Sequence, residues 1–306
     1  MTRVSDLGQY NQTLSNLRNT QTTIDTLSAQ AGTGFKSTTY SGIASGSRQL
    51  VSLESALSRN DQYKTNNQTV QLRLQTMEQS TTSLVTLATN FKTLLTNALN
   101  NQNVSDLDLS EQTQNMLNEA ARQLNAKVGD RYVFSGTKTD TPPVDLNDPD
   151  FVAPPTSYPS TPDTSYYQGD STRLSTQAAE NYTVNYGATA DEPAFEKLVR
   201  SLKLASTVTT DPLDRDRLND ALDLVNSAIQ DMPNITSRIG AAETALDNVT
   251  TGNDDLKVYL NQSVTDITSV NVPETMTRLT SEQTLLQASY MTISTLSQLN
   301  LASYLR

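Results

Sequence analysis

The chain has 306 residues, 35% of them apolar, and its 33 acidic and 22 basic side chains give a net charge of -11. Because it contains neither Cys nor His, disulfides, thiolate nucleophiles, the commonest metal ligand and the commonest general base are all excluded. The negative charge, with Lys and Arg nowhere clustered, argues against nucleic acid and anionic membranes as partners.

The N-terminal segment predicts an amphipathic helix whose stripe residues recur in steps of three and four. A mean repeat of about 3.5 residues places these side chains on one face and predicts a partner helix that wraps around it. The segment lacks the apolar core of a secretory signal, and no apolar run in the chain reaches the ~18 residues of a membrane span, so export would need another route. The stripe comprises Leu7, Tyr10, Leu14, Leu17, Gln21 and Ile24.

A very long helix is predicted next. Neither Gly nor Pro, the two main helix breakers, occurs between Gly46 and Gly129. Leucines at helical spacing therefore predict one helix over about residues 49–100. Its middle is expected to be hydrated because polar residues occupy seam positions there. These residues are Asn60, Lys64 and Asn67.

A shorter helix and an insertion follow. Asp108 and Glu111 have capping-box spacing and predict a helix that extends through Lys127. Seven prolines between residues 142 and 162 exclude any helix there. Residues 135–193 therefore form a predicted Pro-rich, β-containing insertion, with short strands at Tyr166 and Tyr167 and at the alternating Tyr182, Val184 and Tyr186.

Helical spacing returns at Ala194 and predicts further helices. One is expected after Asp211 and Pro212, where Asp caps and Pro takes the first helical position. Another is expected to begin after Pro233.

The last helix is expected to start, or to resume after a kink, near Pro273, because Asn271 and Glu274 have capping-box spacing. It carries a second stripe with the same steps as the first. Because chain ends fray unless something docks them, we expect the two ends to pack together or into neighbouring copies. The second stripe comprises Met276, Leu279, Gln283, Leu286, Tyr290 and Ile293, and Leu296 and Leu299 extend the predicted subunit interface.

Each stripe is interrupted by one glutamine, Gln21 or Gln283. A polar residue at a seam position can fix register by requiring a hydrogen-bonded partner. If the two glutamines lie within reach of each other, they would lock the register of the terminal pair. The alternative is that both are merely tolerated.

Charge is distributed unevenly along the chain. Residues 180–260 hold 14 acidic and 7 basic side chains, a net of -7, whereas the two ends carry few ions. Uncharged seams can be buried without the desolvation cost of ions. The termini are therefore expected to lie inside an assembly, with the acidic middle outside.

Four segments together resemble the bacterial flagellin superfamily and, within it, the hook-filament junction proteins. They are the N-terminal stripe, the long helix, the run at 131–142 that contains Phe-Ser-Gly-Thr-Lys-Thr-Asp-Thr-Pro, and the C-terminal stripe from Leu285 to Leu305. The third is the most specific, because it is similar to the passage that leads into the outer domain of junction proteins and that filament flagellins lack. The resemblance spans both flanks and leaves the insertion unplaced.

The resemblance implies a mainly α fold. Residues 1–40 and 272–306 would form an inner coiled coil, residues 41–134 and 194–271 a helical bundle, and residues 135–193 a small β-containing outer domain. The implied function is mechanical: a ring of identical subunits would join the hook to the filament. Implied partners are the hook-side junction protein, filament flagellin and a cytosolic chaperone on the C-terminal helix, with export largely unfolded through the flagellar type III route to the extracellular flagellum.

Two other classes stay open, a filament-forming flagellin and an acidic extracellular glycan-binding or hydrolytic module. Tyrosines of the insertion could stack on sugars, although a small β core is the simpler interpretation. The acidic run at 145–150 lacks the Gly and terminal Glu of a calcium loop, so a solvated loop is expected there. No catalytic residue, metal site or cofactor is predicted.

Overall fold

The computed structural model describes residues 2–100, 108–151, 157–209 and 212–304, and the side chains of residues 2–7, 44 and 296–304 lie outside that description. Long helices dominate, and the strands are short, as the predicted fold class requires. The helices are α1 (Thr2–Thr33), α2 (Tyr40–Ile43), α3 (Ser47–Asn100), α4 (Leu109–Leu124), α5 (Pro193–Ser206), α6 (Arg215–Thr268) and α7 (Val272–Tyr304). The strands are β1 (Lys127–Val128), β2 (Arg131–Tyr132), β3 (Leu174–Ala179) and β4 (Tyr182–Tyr186).

The chain forms two compact units. Residues 1–58 and 257–306 make up the terminal unit, and residues 59–256 make up the central unit. The boundary falls within both α3 and α6. The finer division into three domains stays a prediction.

The terminal unit is held by α1 packing against α7. After α1, Gly34 adopts a left-handed φ of 75° and Phe35 forms an antiparallel bridge with Ser269. The Lys36 ammonium donates to the carbonyl oxygens of Asp266 and Ile267 at 2.9 and 2.8 Å, which satisfies two of the last carbonyls of α6. The segment that leaves α1 is thereby fixed to the turn that precedes α7.

The restart of the C-terminal helix is confirmed. The Asn271 side-chain oxygen accepts a hydrogen bond from the Glu274 backbone N–H at 3.3 Å, and α7 begins at Val272. Pro273 lies in the first turn, where a missing N–H costs little. Sequence spacing therefore located this boundary correctly.

The central unit has one apolar core, built from α3, α4, α5, α6 and the inserted segment. Phe134 and Phe195 meet edge to face with ring centroids 5.6 Å apart, and Phe151 meets Tyr166 in the same way at 5.4 Å. Three of the leucines that gave α3 its helical pattern, Leu74, Leu84 and Leu95, are fully buried in this core. The long helix is confirmed, because its observed start lies only two residues before the predicted one.

The predicted start of α4 is confirmed, because the helix begins at Leu109, but its capping interaction is wrong and the helix ends at Leu124, before the predicted Lys127. Asp108 has a left-handed φ of 42° and its side chain makes no capping hydrogen bond, whereas a capping residue needs extended backbone.

The predicted start of the next helix at Pro212 is also wrong, because α6 begins at Arg215. Asp211 lies outside the described residues, and Asp214 caps α6 instead: its side-chain oxygen accepts from the Arg217 backbone N–H at 3.0 Å. The capping residue therefore lies three positions after the predicted one.

Pro233 does not separate two helices, and this prediction is also wrong. It lies inside the continuous helix α6. A proline removes one backbone hydrogen bond and clashes with the preceding turn. Met232 and Ile235 beside it are fully or almost fully buried, so core packing on both sides outweighs that local cost.

The insertion contains less strand than predicted. Tyr182–Tyr186 forms β4, which pairs antiparallel with β3, but Tyr167 makes only a single bridge to Val144 and Tyr166 is a core residue. Ala178 forms a bulge where the register shifts. Most of the segment is ordered loop, as its proline density requires.

Gly136, in the run that carried the resemblance, is fixed by a close backbone contact. It has a φ of 65°, and a Cβ there would lie 2.1 Å from the Asp170 carbonyl oxygen. The Asp170 carboxylate also accepts from the Thr137 backbone N–H at 3.0 Å and from the Thr137 hydroxyl, and the hydroxyl bond holds its pKa down at about 2. Because its unfolded pKa is near 3.8, this clamp stabilises the fold above that pH and is lost only as the pH falls towards 2.

Gly136→Ala is expected to destabilise the central unit far more than Gly129→Ala. Both glycines have positive φ, so each substitution incurs about 1–2 kcal/mol of backbone strain. A Cβ at position 136 would also clash with backbone atoms of Asp170, whereas nothing lies within 4 Å of a Cβ at position 129. Urea unfolding should therefore place Gly136→Ala about 1–3 kcal/mol below Gly129→Ala, and equal losses would contradict this account.

Glu243→Gln is expected to stabilise the chain at neutral pH. Burial raises the pKa of the Glu243 carboxyl, with further contributions from Glu78 and Asp247. The folded state therefore favours the protonated form of Glu243. The stability that this form contributes is lost as the pH rises through the raised pKa. Thermal unfolding followed by circular dichroism should show that the substitution raises the free energy of unfolding by less than about 1 kcal/mol at pH 7. This gain should disappear below pH ~4. Glu180→Gln, at an exposed position, should show no such gain.

Candidate subunit interface

The terminal helices place the members of each predicted stripe in two different environments, and in α7 the two environments alternate along the stripe. In α7, Leu279 is buried and Leu286 and Ile293 are half-buried in the packed pair. In α1, Leu14, Leu17 and Ile24 are half-buried. These members form the contact between the two helices.

The other stripe members are exposed. Met276 and Tyr290 are 49% and 50% exposed, and Tyr10 is 41% exposed. In α7, the residues that directly precede Met276, Gln283 and Tyr290 lie in the contact instead. Of these, Thr275 is buried, and Glu282 and Ser289 are half-buried. Because the transfer of a large apolar side chain out of water is favourable, these exposed members can bind a neighbouring molecule.

The two glutamines do not lock the register of the terminal pair. Gln21 and Gln283 are both exposed, and neither makes a side-chain hydrogen bond to any residue that the structure describes. In α7, the shift of the contact by one residue leaves Gln283 outside the contact. Leu7, Leu296 and Leu299 lie outside the described side chains, so their place in the interface stays a prediction.

The expectation that the middle of α3 is hydrated is wrong, because Asn60 and Asn67 are buried there and bind protein groups instead of water. With Asn253 they form a buried amide layer in the central unit. The Asn67 and Asn253 side-chain NH2 groups both donate to the carbonyl oxygen of the bulged Ala178, at 2.9 and 3.1 Å. Asn60 donates to the Asn253 carbonyl oxygen at 2.8 Å, and the Lys64 ammonium lies 2.6 Å from an Asp254 carboxylate oxygen. The polar seam positions therefore attach α6 and the β3–β4 hairpin to α3.

A buried ionic cluster fixes the proline-rich loop, and sequence reasoning missed it. Arg200 and Glu196, about 6% and 4% exposed, are partners on α5. Arg200 donates to the backbone and hydroxyl oxygens of Ser160 at 2.5 and 2.9 Å, and Glu196 accepts from the Asp163 backbone N–H at 2.9 Å. Their spacing of four residues on a helix was the available indication, but it does not reveal a partner in a distant loop.

Comparison with family models identifies the two flanks of the chain. Residues 4–139 match the bacterial flagellin N-terminal helical region, and residues 222–305 match the bacterial flagellin C-terminal helical region. The chain belongs to the bacterial flagellin superfamily. No curated protein sequence matches it.

Solved structures share the fold of this flagellin-superfamily chain at low identity. A flagellar hook-associated protein from Vibrio parahaemolyticus is 17% identical, with a TM-score of 0.58 over 73% of this chain and 97% of its own. FlgL from Bacillus cereus is 16% identical, with a TM-score of 0.54 over 71% and 99%. Flagellar hook-associated protein 3 from Legionella pneumophila is 13% identical, with a TM-score of 0.56 over 70% and 98%.

The acidic run of the insertion binds its own backbone. Asp145 accepts from the Asn147 N–H and Asp148 from the Asp150 N–H, each at 2.9 Å, and Asp148 also accepts from Gln168. In the described part of the flagellin-superfamily chain, no three acidic side chains cluster as metal ligands. None of its described helices combines the length and the apolar character of a bilayer-spanning segment.

The tyrosines that could have stacked on sugars are mostly part of the core. Tyr166 and Tyr186 are buried, Tyr158 and Tyr167 are half-buried, and Tyr182 is exposed. Tyr158 accepts a hydrogen bond from Arg217 at 2.8 Å, which attaches the loop to α6. These side chains therefore stabilise the insertion, and they do not form a row of exposed rings.

Proposed function

We propose that this flagellin-superfamily chain is a structural subunit of the bacterial flagellum that joins the hook to the filament. The observation that carries the proposal is a fold shared with hook-associated structures over 97–99% of their own length, together with both flagellin terminal regions. The role is mechanical, and no residue is assigned a catalytic role.

The assembly surface in this proposal is the outer side of the terminal pair. Assembly would bury Tyr10, Met276 and Tyr290, which are exposed within the single chain. Full burial of such a side chain contributes about 1.5–3 kcal/mol, so a few of them per subunit can hold a ring of identical copies together. Leu285 and Met291, 53% and 70% exposed, add further exposed apolar area on α7.

Partners and route follow from the same proposal. The ring would contact a hook-side junction protein on one side and filament flagellin on the other. Before assembly, the exposed apolar side chains of α7 need a cover in the cytosol, and a chaperone on the C-terminal helix would supply it. Export would follow the flagellar type III route to the extracellular junction.

In the proposed ring, residues 1–40 and 272–306 would form the inner coiled coil, and residues 41–134 and 194–271 would form the bundle around it. Residues 135–193 would project outward. The buried ionic cluster and the amide layer support this arrangement, because they attach the insertion to α3, α5 and α6 of the central unit.

Electron microscopy with an antibody label tests the function against its main alternative. A junction subunit should be labelled only where hook meets filament, and cells lacking the gene should carry hooks without filaments while filament flagellin appears in the medium. Label along the whole filament would instead identify a filament flagellin. Intact filaments in the deletion strain would overturn both.

A further inference from the structure

A cationic cleft lies in the central unit between α3, β2 and the β3–β4 hairpin. Its volume is about 350 Å³, and its eleven lining residues include Arg73 and Arg131 but no Asp or Glu. This is unexpected in a chain with a net charge of -11. Charge of this sign in a concave site attracts anions.

Arg73 is partly buried and lacks a carboxylate partner. One of its terminal nitrogens donates to the Tyr186 hydroxyl at 3.1 Å, and its Nε is buried without a hydrogen-bond partner. No ion pair joins Arg73 to a residue in the described ranges. Partial burial of a guanidinium without an anionic partner has a desolvation cost, and an anion in the cleft would offset it.

The other polar groups of the cleft are donors or can donate. Arg131 is exposed and forms no ion pair within the described parts of the chain. The Tyr186 hydroxyl accepts from Arg73, and its own proton has no described acceptor. The hydroxyls of Thr139 and Ser175, which also line the cleft, likewise have no hydrogen-bond partner among the described groups.

The carboxylate that binds a lining residue of the cleft, Asp170, is already occupied. The Asp170 carboxylate binds Thr137, which lines the cleft, through both its backbone N–H and its hydroxyl, and it also accepts from the Thr172 backbone N–H at 2.9 Å. Asp170 thus serves the loop. Among the described residues, neither Arg73 nor Arg131 has an anionic partner.

We propose that this cleft binds an oxyanion through Arg73, Arg131 and the Tyr186 hydroxyl. Planar guanidinium groups match the paired oxygens of carboxylate and phosphate, and such charged hydrogen bonds are about twice as strong as neutral ones. The oxyanion has two possible sources, a free inorganic anion or an acidic side chain of a neighbouring copy. The site goes beyond the junction role, because free-anion binding requires no assembly.

Calorimetric titration of the full chain with sodium phosphate, at constant ionic strength, tests the site. We expect saturable binding of one phosphate per chain, weakened at least about tenfold in Arg73→Gln/Arg131→Gln. The matched control is Arg48→Gln/Arg59→Gln, which removes the same charge from exposed positions of α3 outside the cleft and should bind as the wild type does. Absence of saturable binding, or equal binding by the cleft variant, would overturn the proposal.

A second arm identifies the source. If the natural ligand is a carboxylate of a neighbouring copy, the cleft variant should be exported normally but should reduce the fraction of hooks with filaments, and the control variant should not. If it is a free anion, the two variants should carry filaments equally often. Failure of the wild-type gene to restore filaments would count against the junction role alone, because the titration does not depend on it.

Discussion

Arg200→Ala is expected to lower the free energy of unfolding of the central unit by about 3–5 kcal/mol. The substitution would leave the Glu196 carboxylate, about 4% exposed, without its cation. Arg200 Nε lies 2.7 Å from Glu196 Oε1, and Arg200 Nη2 donates a hydrogen bond to Glu196 Oε2 at 3.2 Å, so the pair is both ionic and hydrogen-bonded. The two oxygens of Ser160 would also lose their donor.

The double variant Glu196→Leu/Arg200→Met separates the stranded charge from lost packing. It removes both ions and keeps apolar volume, so it should cost much less than Arg200→Ala alone. Unfolding in urea, followed by the near-ultraviolet circular dichroism of the tyrosines, measures both. A loss below about 1 kcal/mol in Arg200→Ala would mean that water already reaches Glu196, and the cluster would not be what fixes the loop.

The helical part of the fold could be predicted from the sequence because its determinants are local. The Gly- and Pro-free span gave α3, and the Asn271 cap gave the start of α7. Pro233 failed as a helix break because its neighbours are packed into the core, which depends on residues far away in the chain. Asp108 failed because spacing alone does not give the backbone conformation of the capping residue.

The candidate interface could be predicted only in outline. A repeat of three and four identified the faces of α1 and α7, but it did not show which stripe members contact the partner helix and which stay exposed. Half of the C-terminal stripe was displaced by one residue, and that small shift moved Gln283 and Tyr290 out of the contact. Periodicity defines a face about 100° wide, so one residue of shift falls within its resolution.

The polar contacts of the central unit could not be predicted at all. The bulged carbonyl of Ala178 receives Asn67 and Asn253 from helices 111 and 75 residues away in sequence. Arg73 and Arg131 meet in one cleft because a hairpin folds between them. Such pairs have no local pattern, and a single sequence contains no other trace of them.

Met276→Asp/Tyr290→Asp is expected to abolish filament attachment while leaving the single chain folded. Both side chains are about half exposed, so charging them should change the stability of the free protein by no more than about 0.5 kcal/mol. In the proposed ring each subunit would instead bury two carboxylates in an apolar contact. Buried charges without partners cost several kcal/mol each, which would reduce assembly by far more than tenfold.

The control is Met276→Leu/Tyr290→Phe, which preserves apolar area at the same positions. It should retain hooks with filaments at the wild-type frequency. Electron microscopy counts those hooks, and the amount of each variant in the medium shows whether export was normal. Melting temperatures of the purified chains verify that neither variant is unfolded.

Normal filaments on the aspartate variant would contradict the interface without touching the family assignment, since the flagellin terminal regions would still match. The subunit contact would then have to lie elsewhere, and the exposed half of each stripe would need another explanation. Loss of filaments with normal export and an unchanged melting temperature has a different meaning. It would show that the substitutions weaken the contact between copies, because the same two side chains contribute little to the stability of one chain alone.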